Sequence, residues 1–210
     1  MTSIRSSRVA ALILGLVVSG AGAQQRTAEE YARILEGAER VAKLQVPRVV
    51  ETLGLKPGGL VADLGSGSGL FTRPIARAVA PNGIAYAVDI DEALLTIVER
   101  SAREAGLGNV RTVLAAPDDP KLPQPVDLVF ICDALHHFGD KPAYLKMLPR
   151  YVTPGGRIAV IDFEEDWPAG HDRMRYTPAD LDTWMKAAGF TRVGSYDFLE
   201  NSFFVLYRRQ

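Results

Sequence analysis

Short uninterrupted apolar runs alternate along this chain with stretches in which apolar residues recur every three or four positions. The runs predict strands buried on both faces, and the spaced stretches predict amphipathic helices. Residues 60–62 run into Asp63, and residues 84–88 run into Asp89. Residues 109–114 make a third strand, 126–133 a fourth that is continuously apolar after Asp127, and 157–162 a fifth. Helices are expected over 71–80, over 91–105 with Asp91 as N-cap and Gly106 as stop, and over 142–151. Thr177-Pro-Ala-Asp180 caps a last helix to residue 188, closed by Gly189. Residues 191–198 and 202–208 alternate as two closing strands, paired around Glu200-Asn201. This order predicts an α/β fold with a doubly wound, mostly parallel seven-stranded sheet and a C-terminal antiparallel hairpin.

The N-terminal third divides differently. Arg5 and Arg8 precede an uncharged run over 9–18, and Ala21-x-Ala23 follows. A basic start, an apolar middle and a small-residue site predict a signal peptide over 1–23, and so an exported chain, periplasmic or secreted. The run falls short of the ~20 residues that a spanning helix needs, so no stable membrane anchor is expected. Residues 24–54 should form helices: one from Thr27 to about residue 43, with Glu29 and Glu30 in its first turn, and one over 48–53, entered at Pro47 and stopped by Gly54. The main domain then occupies 55–210.

Composition narrows the partners. Of 210 residues, 24 are basic and 25 acidic, for a formal net charge of −1, and no Lys/Arg block appears. A nucleic-acid partner is therefore not expected. The single cysteine, Cys132, excludes an intramolecular disulfide and a cysteine-cluster metal site. It lies within a strand run and reads as core packing. Nothing in the sequence indicates an oligomeric state.

The candidate chemistry gathers where strands end. After Asp63 the chain reads Leu-Gly65-Ser66-Gly67-Ser-Gly69 before a helix opens. A strand breaking into alternating glycines and then a helix makes a small-molecule cradle with backbone N–H groups near a helix start. The spacing G-x-G-x-G differs from the dinucleotide pattern G-x-G-x-x-G. Asp63, Asp89, Asp118, Asp133 and Asp162 all fall at or just beyond strand ends, the edge where ligands bind in such sheets. That acidic rim would repel the two phosphates of a dinucleotide. It suits S-adenosylmethionine, which carries an ammonium, a sulfonium and a ribose diol. Asp89 lies where a ribose-binding carboxylate belongs.

The chain has three histidines. His136 and His137 follow the fourth strand and His171 follows the fifth, so all belong to the same rim. His136 and His137 are the candidate catalytic residues, with a general base near neutral pKa as the role. A metal held by Asp133, Asp162 and a histidine lacks a close ligand spacing, and no metal is expected.

Asp63-x-Gly65-x-Gly67-x-Gly69, with Asp89 and the end of strand four over 133–137, resembles class I S-adenosylmethionine-dependent methyltransferases over about residues 47–200. Small exported methyltransferase-11-like proteins are the most similar group. The resemblance implies a Rossmann-like fold, S-adenosylmethionine as cofactor and a small-molecule acceptor. It places the glycine turn (Asp63, Gly65, Ser66, Gly67, Gly69) against the methionine part, Asp89 at the ribose and Asp118 near the adenine, with Ile90, Pro117 and Asp133 as further cofactor-binding residues. In that family the N-terminal segment often closes over the site; for Tyr31 and Arg33 here, an exposed amphipathic helix is expected. Arsenite methyltransferases share the core but use several cysteines. Isoprenoid-quinone methyltransferases are similar too, with an extended C-terminal substrate region not seen here. Two other readings stay open: a non-catalytic binding module for an adenosine-like ligand, and a nicotinamide-dependent oxidoreductase.

Overall fold

The computed structural model describes residues 27–210, so the signal-peptide reading lies outside the described residues. Seven strands form one sheet: β1 (Leu60–Leu64), β2 (Ile84–Asp89), β3 (Val110–Leu114), β4 (Val126–Cys132), β5 (Val152–Phe163), β6 (Phe190–Tyr196) and β7 (Ser202–Arg209). Their order is β3-β2-β1-β4-β5-β7-β6. The first five are parallel, and β7 runs antiparallel to both β5 and β6. Strand order reverses between β1 and β4, which opens a crevice at their carboxyl ends.

The apolar runs become strands because each strand feeds two cores at a period of two. On β4, Val126, Val129 and Ile131 face one layer, while Leu128, Phe130 and Cys132 face the other. On β7, Phe203, Val205 and Tyr207 alternate with Phe204 and Leu206 in the same way. Cys132 is buried, as its strand position predicts.

Two boundaries depart from the sequence reading. The expected helix over 27–43 is two: α1 (Ala28–Leu35), opened by a Thr27–Glu30 capping box, and α2 (Ala38–Lys43). Gly37 is the break, in extended conformation at φ −58°, ψ 135°. The fifth strand begins five residues early. Val152 pairs with Val126 and Arg157 with Leu128, so Thr153-Pro-Gly-Gly156 is a bulge inside β5 rather than a turn before it. Asp127 holds this irregularity, accepting from the Thr153 hydroxyl and from the Leu60 N–H that starts β1.

The other helices are α3 (Val46–Thr52), α4 (Thr72–Val79), α5 (Glu92–Glu104), α6 (Lys141–Met147) and α7 (Pro178–Ala187). Asp91 caps α5 and Thr177 caps α7, both as read from sequence. Among the described residues, no helix is long and apolar enough to cross a membrane.

Candidate active site

A cavity of about 450 Å³ sits at the carboxyl ends of β1, β2 and β4, within the usual size of small-ligand sites. Asp63, Gly65, Ser66, Gly67, Asp89, Ile90, Pro117, Asp133 and His137 line it, so most sequence candidates converge. Three do not reach the wall. Asp118 is exposed beyond it. Gly69 packs under it, where a Cβ would stand 3.1 Å from Val98. His136 lies behind it, 2% exposed.

The glycine turn works by close approach rather than by offering donors. A Cβ on Gly65 would lie 2.4 Å from the Ala134 Cβ, and one on Gly67 would lie 2.7 Å from Leu35; both backbones are at positive φ. The N–H groups of Gly65 and Ser66 both donate to the Val88 carbonyl. Gly67 donates to Asp89 at 2.8 Å, and Gly69 donates to the Ser66 carbonyl. Three of these donors are spent on β2 and one within the turn, which corrects the expectation of an N–H cradle. A pyrophosphate would find none of these four amides available to it.

The polar atoms left open are of the opposite kind. Oδ1 of Asp133 is buried with no hydrogen-bond partner among the described residues, as are the Ser66 and Ser68 hydroxyl oxygens. Asp133 adopts φ 49°, and its Oδ2 takes Arg40 at 2.7 Å. Burial raises its pKa, against the pull of Arg40. Asp63 is 3% exposed, its carboxylate bonded by the Thr72 hydroxyl. Burial lifts its pKa to about 7. A buried open acceptor in the same cavity as a carboxyl group whose pKa burial raises fits an ammonium or hydroxyl group, and S-adenosylmethionine brings both.

The N-terminal helix is exposed and amphipathic, as read from sequence, with Ala32 alone buried, and its inner face nevertheless borders the site. Ala32 packs on Leu94 and Ile97 of α5, and Tyr31, Leu35 and Arg40 line the cavity. Glu36 pairs with Arg73 at 2.7 Å, and Arg40 bridges the Leu35 carbonyl to Asp133. Arg33 lies off the cavity wall and is exposed, and Tyr31 is exposed as well as lining the cavity. Tyr31, Leu35 and Arg40 were missed as site residues. The Glu36-Gly37 interruption in the helical pattern was the signal that could have found them.

The far end of the cavity is aromatic and histidine-rich. Phe138 and Tyr144 line it beside His137. Burial and two neighbouring imidazoles push the His137 pKa down to about 4. Behind it, His136 Nδ1 meets Oδ1 of fully buried Asp162 at 2.7 Å, and the Tyr176 hydroxyl donates to the other oxygen at 2.9 Å.

Residues 61–156 match a family model described as a methyltransferase domain. With the strand order, this match likens the central part of the chain to a methyltransferase domain, on a sheet arranged as in S-adenosylmethionine-dependent methyltransferases. Its sequence relatives include the ubiquinone/menaquinone biosynthesis C-methyltransferase UbiE of Ectopseudomonas mendocina (strain ymp), 34% identical over 120 residues, or 55% of this chain and 46% of that protein. The chain thus spans about half the length of the curated relatives it matches. A SAM-dependent methyltransferase from Aquifex aeolicus superposes with a TM-score of 0.77 at 21% identity, covering 89% of this chain and all of that one. Magnesium protoporphyrin IX methyltransferase (ChlM) from Synechocystis PCC 6803, solved with bound SAM, gives 0.64 at 22% identity over 91% of this chain and 87% of its own. At these identities the two structures show the shared fold.

Proposed function

We propose that the protein transfers a methyl group from S-adenosylmethionine to a small-molecule acceptor seated at the histidine end of the cavity. The observation that carries this reading is the buried, unpartnered Asp133 Oδ1 in a cavity ringed by Asp63 and Asp89. In this reading Asp63, Asp133 and the turn over 65–69 hold the methionine end. Asp89 and Ile90 hold the ribose, and Pro117 flanks the adenine with Asp118 at the outer rim. The bound cofactor would supply an electrophilic methyl on a sulfonium centre. His137 faces the cavity, but a pKa lowered to about 4 departs from the near-neutral base expected from the sequence. Its neutral ring therefore accepts a hydrogen bond from the acceptor and orients it rather than holding its proton at pH 7. His136, held by Asp162, is a positioning residue for His137, whose ring centroid lies 4.0 Å away. Phe138, Tyr144 and the N-terminal segment exclude water and orient the acceptor.

The acceptor's chemical identity is left open by this reading. Export to the periplasm or outside the cell, after removal of residues 1–23, is the proposed location, and it would part the enzyme from a cofactor made in the cytosol, so that the cofactor must reach that compartment. Calorimetric titration with S-adenosylmethionine, S-adenosylhomocysteine and NAD tests the proposal. Micromolar binding of the first two without NAD supports it. A folded sample that binds neither adenosyl compound overturns it.

A further inference from the structure

All three histidines of the chain meet at one point. His136 and His137 lie on a turn after β4, and His171 lies on the loop after β5, 34 positions further on. Ring centroids are 4.0 Å apart for His136–His137, 5.2 Å for His136–His171 and 5.4 Å for His137–His171. One ring nitrogen of each falls within 4.8 Å of the other two. We propose that this cluster is a binding site for a late first-row divalent cation of the Zn2+ type, with an open position toward the methyl-transfer cavity.

The hydrogen bonds around the rings prepare them as ligands. A carbonyl oxygen can only accept, so His171 Nδ1, 3.1 Å from the Pro168 oxygen and 3.3 Å from that of Ala169, carries the proton. Its Nε2 is left with a lone pair. Asp162 does the same for His136, fixing Nδ1 as the N–H and Nε2 as the lone pair. A carboxylate or carbonyl behind a ligating imidazole is the usual support of a metal-bound histidine. The Asp162 carboxylate is occupied, receiving Tyr176 and the His136 and Phe163 amides, so it serves as support and not as ligand.

Three imidazoles without a carboxylate or water cage favour Zn2+, Cu2+ or Ni2+ over Mg2+ or Ca2+. Zinc–nitrogen bonds are about 2.0–2.1 Å, so the nitrogens must draw closer than they stand here. Only His136 is locked by burial; His137 and His171 are partly solvent-exposed and can turn. Phe163 and Trp167 pack around the His136 ring at 5.6 and 5.5 Å between centroids, keeping that side dry. Because His137 is also a cavity wall residue, the fourth position opens to the acceptor.

This inference rests on the methyl-transfer reading for its purpose. An acceptor oxygen or thiol bound to the cation would lose its proton to solvent near neutral pH, as cation-bound water does. Its lone pair then forms the bond to the methyl carbon while the carbon–sulfur bond breaks and its electrons return to sulfur. The cation would activate the acceptor more strongly than a hydrogen bond to the His137 ring does in a metal-free site.

The untagged full chain, stripped with chelator, is titrated calorimetrically with Zn2+ and, in parallel, followed by visible absorption with Co2+. The expected result is one equivalent bound and an intense Co2+ spectrum of low coordination number. Both His171→Ala and His137→Gln should weaken Zn2+ by at least roughly tenfold and abolish that spectrum. Neither residue is in the core, so both variants should fold, which circular dichroism checks. No saturable binding, or equal affinity in wild type and both variants, overturns the proposal. S-adenosylhomocysteine is titrated into the same stripped samples. Normal binding there with no Zn2+ binding removes the cation site alone, whereas failure there removes the methyl-transfer reading instead.

Discussion

Asp133 follows β4 in a left-handed conformation that costs a non-glycine residue energy. That geometry gives one carboxylate oxygen to Arg40 and leaves the other buried and unbonded. A cationic or hydroxyl ligand group would relieve it. Replacing Asp133 by Asn should therefore cost about 1.5–3 kcal/mol of cofactor binding, one to two decades in Kd by calorimetry. Asp63 predicts a pH effect. Its folded pKa is raised from 3.8 to about 7 by burial, so the folded state holds its proton more tightly than the unfolded chain. Its contribution to stability is full below pH 3.8 and is lost as pH rises through about 7. Urea unfolding should show Asp63→Asn more stable than wild type at pH 8, by a few kcal/mol at most, with the difference gone at pH 4. A variant no more stable at pH 8 would contradict the assignment.

At the scale of elements, β1 through α4 acts as a unit built on close approach. Gly65→Ala pushes a Cβ into Ala134 at positive φ and should lose about 1–3 kcal/mol of stability, measurable by thermal or urea unfolding. The segment formed by α1 and α2 is fastened by Arg40, Glu36 and the packing of Ala32 on α5. Arg40→Met should speed amide exchange over residues 28–44 while leaving β4 and β5 protected. Unchanged exchange there would mean that apolar packing alone holds the segment. The strands were legible because runs such as 126–132 and 157–162 can be satisfied only between two covering layers. The caps Asp91 and Thr177 were legible because their hydrogen bonds are local. The bulge at 153–156 was not, because Pro-Gly-Gly has the chemistry of a turn and only pairing of Val152 with Val126 makes it strand. The closure of the N-terminal segment depended on a contact between residues 93 positions apart, Arg40 and Asp133, which no periodicity encodes.

The whole molecule places acids at one edge of one sheet, and the sequence showed that arrangement once strand ends were located. Asp63, Asp89 and Asp133 reached the cavity because each directly ends or follows a strand. Asp118 did not, because the loop after β3 carries it outward while Pro117 and Ala116 form the wall. His171 could be placed on the rim from sequence, but its meeting with His136 and His137 depends on the fold of the loop after β5. Export belongs to this scale as well. The chain made in a secreting host should be recovered outside the cytosol with Gln24 at its N-terminus, as terminal sequencing or intact mass would report; an unprocessed cytosolic product would contradict it.

The most direct test of the account is a crystal structure of the protein with S-adenosylhomocysteine. The account predicts the ligand in the cavity between β1 and β4, its amino group within hydrogen-bond reach of Asp133 Oδ1, its ribose on Asp89 and its sulfur turned toward His137. A ligand bound elsewhere, or one lying in this cavity with its amino group away from Asp63 and Asp133, would contradict it.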